Sequence, residues 1–581
     1  MIFHRRFIYS AGLFTTMLLC WLPAIAQTSS AQKPDTISGT VVNESGRPLP
    51  NARVVPRRMI SMGPGSTSTT TDGEGKFELS GLQPGSYQVF AHLQGYIQLL
   101  RALDDTQAGV YRPGDSVTLV LTKGGVVTGT VTNQAGEPVV GVNVRAQMVH
   151  AANLAHAANY FPSPYNPFSP EDLTDDRGIY RIFGLPEGTY VVWAGRRGEL
   201  GYSTNVDPFD SDVATYAPAS TRDTAQEFIV REGAEVNGVD IQYRGGSGHA
   251  VSGSARGPEG NQPLPFGIFL FSTSGPQWHT RASQDPDDRS FIFHGVDDGD
   301  YSLSAISQRP DGEFMSSVAK HIKVSGADVS GVELVVQPLS SVVGRVVLEE
   351  TKTTECSDKQ RPVFAETLIS AQSNAFGIPT SWFSGSMANP DEQGNVLLKN
   401  LAPGRYYFST QYFARDWYLK SVSVLPPETA TIKAGKPVDA ARTWTTLKPG
   451  DRLNGLTITL AQGAASLRGH IALSKGETLA EKLYVYLVPA EREVADDPLR
   501  FYGAAVTAEG KVALNNLAPG RYLVLAQGAM DQSASPLTRL RSPDEKAYRM
   551  KMRREAETLK AEIELKPCQR VADLKVRLRT N

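Results

Sequence analysis

Leu82-Gln-Pro-Gly-Ser-Tyr87, Leu185-Pro-Glu-Gly-Thr-Tyr190, Val296-Asp-Asp-Gly-Asp-Tyr301, Leu401-Ala-Pro-Gly-Arg-Tyr406 and Leu517-Ala-Pro-Gly-Arg-Tyr522 are five versions of one phrase. Each sets a turn after an apolar residue and then starts an apolar-rich run at a tyrosine, such as Val191-Val-Trp-Ala194 or Leu523-Val-Leu-Ala526. Pro-Gly between two such runs is turn chemistry, because proline presets φ and glycine accepts positive φ. Working outward, each copy opens on a short run around a central glycine: Ile37-Ser-Gly-Thr-Val41, Val127-Thr-Gly-Thr-Val131, Val251-Ser-Gly-Ser-Ala255, Val343-Gly-Arg-Val346 and Leu467-Arg-Gly-His-Ile471. Each copy closes on residues alternating with period two, the mark of a half-buried strand. The closing runs are Val117–Leu121, Val239–Tyr243, Val332–Val336, Leu456–Leu460 and Leu574–Leu578. Three markers in the same order, five times over, predict five tandem all-β modules.

The opening glycines stand at 39, 129, 253, 344 and 469, so successive steps are 90, 124, 91 and 125 residues. A core of about 90 residues with about seven short strands is what a two-sheet sandwich requires. The longer second and fourth modules carry insertions. Only eight to ten residues separate a closing run from the next opening glycine, which predicts an extended, semi-rigid row of modules. The expected fold class is all-β: five tandem immunoglobulin/transthyretin-like β-sandwich domains, with one C-terminal helix inserted in the last. The expected boundaries are 35–122, 123–245, 246–338, 339–462 and 463–581. Ser542-Pro-Asp-Glu545 reads as a capping box, and Tyr548, Met552, Ala556, Leu559 and Ile563 fall on one helical face. The predicted helix therefore spans about 543 to 561.

Of 581 residues, 53 are glycine and 37 proline, about 15% together and above the usual ~12%, in keeping with a turn-rich β protein. Lys plus Arg number 58 and Asp plus Glu 60, so no global positive field gathers nucleic acid or anionic lipid. Arg5 and Arg6, the apolar run Phe7–Leu22 and Ala24-Ile25-Ala26 read as a signal peptide over 1–26, with cleavage after Ala26. The competing readings are an uncleaved anchor and, through Cys20, a lipoprotein. No later stretch reaches 18 uninterrupted apolar residues, so membrane insertion after cleavage is not expected. The expected location is exported: periplasm, outer surface or secreted.

Ile37–Val54, then Thr71-Asp-Gly-Glu-Gly-Lys-Phe77, then Leu82–Tyr87 resemble the carboxypeptidase regulatory-like domain family. Module two repeats the pattern through Gly136-Glu-Pro-Val-Val-Gly-Val142 and Thr174-Asp-Asp-Arg-Gly-Ile-Tyr180, and modules three to five keep it in part. The resemblance implies a transthyretin-like (prealbumin-like), carbohydrate-binding-like sandwich that is not itself catalytic, found in carboxypeptidases and in cell-surface proteins. Fold analogy to carbohydrate-binding modules does not supply a site.

The residues themselves contain little chemistry. No histidine begins a His-x-x-Glu or His-Glu-x-x-His ligand pair, and neither a Gly-x-Ser-x-Gly elbow nor a Walker loop occurs. His150 and His156 read as loop residues and not as ligands. The opening strands carry no lysine for an isopeptide crosslink. Acidic segments at Asp175 and Asp176 (Asp175-Asp-Arg-Gly178) and at Asp285, Asp287 and Asp288 read as hairpin turns and not as calcium sites. No catalytic residue, metal or cofactor is expected.

The ligand-binding candidates are aromatic residues in the insertions: Tyr160, Phe161, Tyr165 and Phe168 among four prolines in module two, and Trp382 and Phe383 in module four, with Trp417 and Tyr418 further on. Exposed rings offer stacking faces to sugars or peptide side chains. The other reading has these rings covering their own sheet edge or a neighbouring module. Cys356 and Cys568, the two cysteines beyond the leader, pair only if modules four and five pack together there. The function expected is that of an exported, non-catalytic binding protein for carbohydrate or another envelope protein. The alternatives are a structural spacer of the bacterial envelope and a non-catalytic accessory subunit of a hydrolase complex.

Overall fold

Alternating apolar residues bury one face of each opening and closing run, as in Gly125–Thr132, where every second residue is inside. The computed structural model describes residues 35–58, 68–98, 110–151, 171–195, 208–209, 212–258, 266–273, 278–279, 283–284, 289–309, 313–351, 356, 361–373, 386–425, 436–472, 479, 483–507, 509–528 and 540–577. The first 34 residues, with the expected leader, lie outside these. Among the described residues each module has a main hydrophobic core, in chain order within Ile37–Leu121, Val127–Tyr243, Val251–Val336, Val342–Leu460 and Ala465–Val576. The protein is thus an array of five all-β modules, and among the described residues the one long helix lies in the last.

The first module shows the plan. Strand Ile37–Asn43 pairs antiparallel with Lys76–Leu79 and parallel with the closing strand Ser116–Lys123. The facing sheet is built on Arg53–Arg58 and Tyr87–His92, flanked by Thr69–Thr70 and Val110–Tyr111. The parallel pairing of first and last strands recurs in every module. It explains the opening glycine. A Cβ at Gly39, Gly129 or Gly253 would collide with the carbonyl oxygen of Val117, Val239 or Val332, and one at Gly344 or Gly469 would lie 2.7 or 2.5 Å from that of Leu456 or Leu574.

The tyrosine phrase is a corner. In all five copies the hydroxyl donates to the carbonyl four residues back: Tyr87 to Gln83, Tyr190 to Pro186, Tyr301 to Asp297, Tyr406 to Ala402 and Tyr522 to Ala518, at 2.7–2.9 Å. Burial raises the phenol of Tyr406 to about 12, so it stays a donor throughout the physiological range. The residue before each phrase is left-handed: Gly81, Gly184, Gly295, Asn400 and Asn516, with φ between 54° and 73°. Glycine and asparagine are the residues that tolerate that conformation. The Asp-x-x-Gly segments are turns. Asp72 accepts from the amides of Glu74 and Lys76, Asp175 from Arg177 and Ile179, and Asp391 from Gln393 and Asn395. The segment with Asp285, Asp287 and Asp288 lies outside the described residues.

Modules three and five depart from the plan. In module three Phe314–Ser317 pairs with both Gly299–Gln308 and Val329–Pro338, fusing the two sheets into one of nine strands. In module five the helix Lys546–Leu559 packs on the outside of strands Leu483–Pro489 and Gly520–Gly528, so Leu483–Pro489 is buried on both faces. Tyr548, Met552 and Ala556 face that sheet as expected, with Leu559 half-buried, but Ile563 belongs to the strand Glu562–Leu565 and not to the helix. Ser542 makes no side-chain cap, so the expected capping box does not form. The Glu545 amide donates instead to the Ser542 carbonyl at 3.2 Å, and Arg549, 1% exposed, donates to the carbonyls of Leu540 and Ser542 beside the turn Pro543–Glu545.

The modules do not form a simple extended row. Ser86 of module one donates through Oγ to the Glu366 carbonyl of module four (2.9 Å), and Arg112 donates to the Glu366 carboxylate (3.0 Å). Sequence adjacency specifies only neighbours; these contacts join residues more than 250 positions apart. At the junction of modules one and two, partial burial and the neighbouring carboxylates of Glu44 and Glu187 raise the Glu232 carboxyl above its ordinary 4.5.

Two outcomes are expected. Tyr406→Phe leaves the Ala402 carbonyl without its donor and weakens the corner by about 1–2 kcal/mol, read as roughly tenfold faster amide exchange in Gly404–Gln411. A carboxyl raised on folding favours the folded state at low pH and loses that contribution as pH climbs through its folded value. Glu232→Gln should therefore flatten the decline of melting temperature with pH above 4.5, measured by calorimetry on the full chain.

Candidate binding surfaces

In every module one connection joins the second strand to the edge strand beside it. These connections run from Arg53–Arg58 to Thr69–Thr70, Asn143–Ala151 to Glu171–Leu173, Phe266–Ser272 to Trp278–His279, Leu368–Ser373 to Met387–Ala388, and Leu483–Pro489 to Tyr502–Ala505. Tyr160, Phe161, Tyr165 and Phe168 fall in the second of these, Trp382 and Phe383 in the fourth. All six lie outside the described residues. They nevertheless share one position in the repeat, a relation that aromatic content alone does not show.

The fifth connection, 490–501, is described throughout. It carries Leu499 into the core of module four and buries Phe501 against the helix. Its Asp497 caps the turn Pro498–Arg500 and lies 3.7 Å from Arg442 of module four, while Asp496 meets Lys546 (2.9 Å) and Arg549 (3.5 Å). Trp417, a sequence candidate for an exposed ring, is fully buried in the core of module four, where a ring of this size contributes roughly 2–3 kcal/mol. Its strand is central enough to be covered on the ring side, which the sequence pattern did not distinguish from exposure. Tyr418 packs against the core of module five.

Modules four and five are locked together. Cys356 and Cys568 form a disulfide across 212 residues of chain, with a Cα–Cα distance of 5.1 Å. Asn516 of module five donates through Nδ2 to the carbonyls of Ala414 and Trp417, each at 2.8 Å. Arg405 reaches Asp544 at 3.3 Å. The Asp416 carboxylate lies within 4.8 Å of both cysteine sulfurs. With the sulfurs bonded to each other, this trio offers no thiolate for a metal. A second helix arginine is used structurally beside Arg549: Arg553 donates to the carbonyls of Pro489 and Ala490, fastening the helix to the end of its sheet. Sequence analysis did not single out Arg549 or Arg553. Their spacing of four residues along the buried stripe was the available signal.

Between the locked modules opens a cleft of ≈490 Å³ whose lining includes Tyr407, Tyr412, Tyr502, Ser370, Ser409 and Arg541. The Ser370 and Ser409 hydroxyls hydrogen-bond each other at 2.7 Å, and the Arg541 guanidinium sits 5.4 Å over the Tyr502 ring. Thr410 presents a buried hydroxyl with no partner among the described residues. The cleft thus combines aromatic edges with neutral hydroxyls and one fixed cation, a mixture suited to polyhydroxylated ligands.

Residues 36–110 match the carboxypeptidase regulatory-like domain family, and the strand plan and punctuation of that segment recur in the four modules that follow. No curated protein matches the chain. Among solved structures, the Bacillus anthracis TIE protein is 9% identical, with 84% of this chain and 76% of that chain covered and a TM-score of 0.14. GBS52, the minor pilin of Streptococcus agalactiae, is 12% identical over 36% of this chain and 97% of its own, with a TM-score of 0.19. BcpA, the major pilin subunit of Bacillus cereus, is 8% identical over 74% and 100%, with a TM-score of 0.14. The fold assignment rests on the strand registers above.

The lock itself is testable. Cys356→Ser removes the crosslink but leaves the Asn516 bonds, so modules four and five should stay docked with a lower melting temperature. Adding Asn516→Ala should give a further drop, and tryptic cleavage between the two modules should become at least several-fold faster.

Proposed function

We propose that the chain is an exported, non-catalytic recognition protein of the cell envelope, which holds aromatic binding positions at fixed spacing for carbohydrate or for another envelope protein. The observation that carries this reading is the module four–five lock. A disulfide and a half-buried asparagine hold two sandwiches together, with an aromatic and hydroxyl-lined cleft between them. A disulfide suits an oxidising compartment outside the cytoplasm, in agreement with the leader read from the sequence. Preorganised clefts lose little entropy on binding, and weak sites on one rigid array reinforce each other when they share a ligand. Two aromatic insertions at the same repeat position add candidate contacts through Tyr165 and Trp382.

The second reading is a structural spacer or scaffold that carries a partner at one end, and the contact of module one with module four would brace such a scaffold. A glycan array with the leaderless full chain separates them. Recognition predicts selective signals that fall at least about fivefold in Tyr165→Ala, Trp382→Ala or Tyr407→Ala, without loss of melting temperature. An array without signal, together with variants indistinguishable from the parent, sinks recognition of carbohydrate and leaves the spacer.

A further inference from the structure

A second cleft, of ≈470 Å³, opens where modules one, four and five meet. Arg112 and Asp115 reach it from module one, Arg415 and Asp416 from module four, and Arg468 and Arg570 from module five. Four guanidinium groups therefore face two carboxylates, in a chain whose acidic and basic residues nearly cancel overall. The excess is local.

The four cations are not equally engaged. Arg112 is held by Glu366 at 3.0 Å and lies 5.4 Å over the Phe413 ring. Arg570 stands 3.9 Å from the buried carboxylate of Asp416. Arg468 is partnered by neutral acceptors, the Leu467 carbonyl at 3.2 Å and the Asn515 side-chain oxygen at 2.9 Å. Arg415 is exposed and forms no ion pair among the described residues. Arg415 and Arg468 thus bring two positive charges, from two modules, to one recess, and neither forms an ion pair among the described residues.

We propose that this cleft binds the carboxylate of an acidic saccharide, a uronate-bearing glycan. Guanidinium groups match a planar carboxylate through paired N–H donors, and they are more readily desolvated than ammonium groups. The remaining polar lining, Ser466, Asn515 and Asn516, supplies neutral hydrogen-bonding groups suited to sugar hydroxyls, and the Phe413 ring offers a face. Asn515 and Asn516 also line the aromatic cleft between modules four and five, so one saccharide of a few units has both surfaces within reach. The choice of a saccharide over an acidic peptide rests on the recognition reading above; the anion site itself rests on the arginines. A ligand held by three modules also stabilises their mutual arrangement, since binding to the folded assembly adds to its stability.

The test is calorimetric titration of the leaderless full chain with tetragalacturonate, with neutral maltotetraose and with hexaglutamate. Tetragalacturonate should bind at least ~10-fold more tightly than maltotetraose and raise the melting temperature. Its affinity should fall as salt rises from ~50 to ~500 mM, because the contact is ionic. Arg415→Gln and Arg468→Gln should each weaken it about 5–10-fold, whereas Arg521→Gln, whose partner is Glu562 on another part of module five, should bind as the parent does. Arg415 is exposed, so its substitution tests the site without disturbing the fold. The proposal is overturned if tetragalacturonate does not bind, if both glutamine variants bind like the parent, or if hexaglutamate binds more tightly. Array signals left unchanged by Tyr165→Ala and Trp382→Ala, with tetragalacturonate binding intact, would sink the loop-aromatic reading and leave this one standing.

Discussion

Each module depends on the close parallel approach of its first strand to its last. That approach places a backbone carbonyl where a side chain would begin, and only glycine at 39, 129, 253, 344 and 469 admits it. Parallel pairing also means that the chain enters a module at one pole and leaves it at the other, so the next module starts where the last one ends. Gly331, Gly455 and Asp573 bulge the closing strand just before the crossing, with positive φ at each, and absorb the register shift seen there.

On this frame the tyrosine corner fixes the other sheet. Five phenols donate to carbonyls four residues back, and burial raises those of Tyr87, Tyr406 and Tyr522, which keeps them protonated and donating. Such a bond is worth only about 1 kcal/mol net, but a buried carbonyl left alone costs more, which is why the position admits so little change within this chain. The corners occupy tyrosines that might otherwise be read as ligand platforms and assign them to the fold.

Module five shows how the same frame is extended. Its helix covers the outer face of one sheet, and Arg549 and Arg553 enter the covered interface to satisfy carbonyls at the strand and turn ends. The connection that carries aromatic insertions in modules two and four is used in module five to dock onto module four. One position of the repeat thus carries an insertion in modules two and four and a module contact in module five, and the disulfide adds a covalent link between the same two modules.

Five modules, their glycine and tyrosine punctuation, the acidic turns and the inserted helix were all legible in the sequence, because they arise from local φ preferences and from periods of two and 3.6 residues. The left-handed residue before each corner was equally local and equally visible, as Gly81, Gly184, Gly295, Asn400 and Asn516, but it becomes meaningful only once its φ is known. The pairing of Cys356 with Cys568, the return of module one onto module four, the burial of Trp417 and the gathering of four arginines in one recess were decided by tertiary structure alone. Each joins segments far apart in the chain, and the angle between successive sandwiches, which brings them together, is set by side-chain packing at junctions that no periodic pattern encodes.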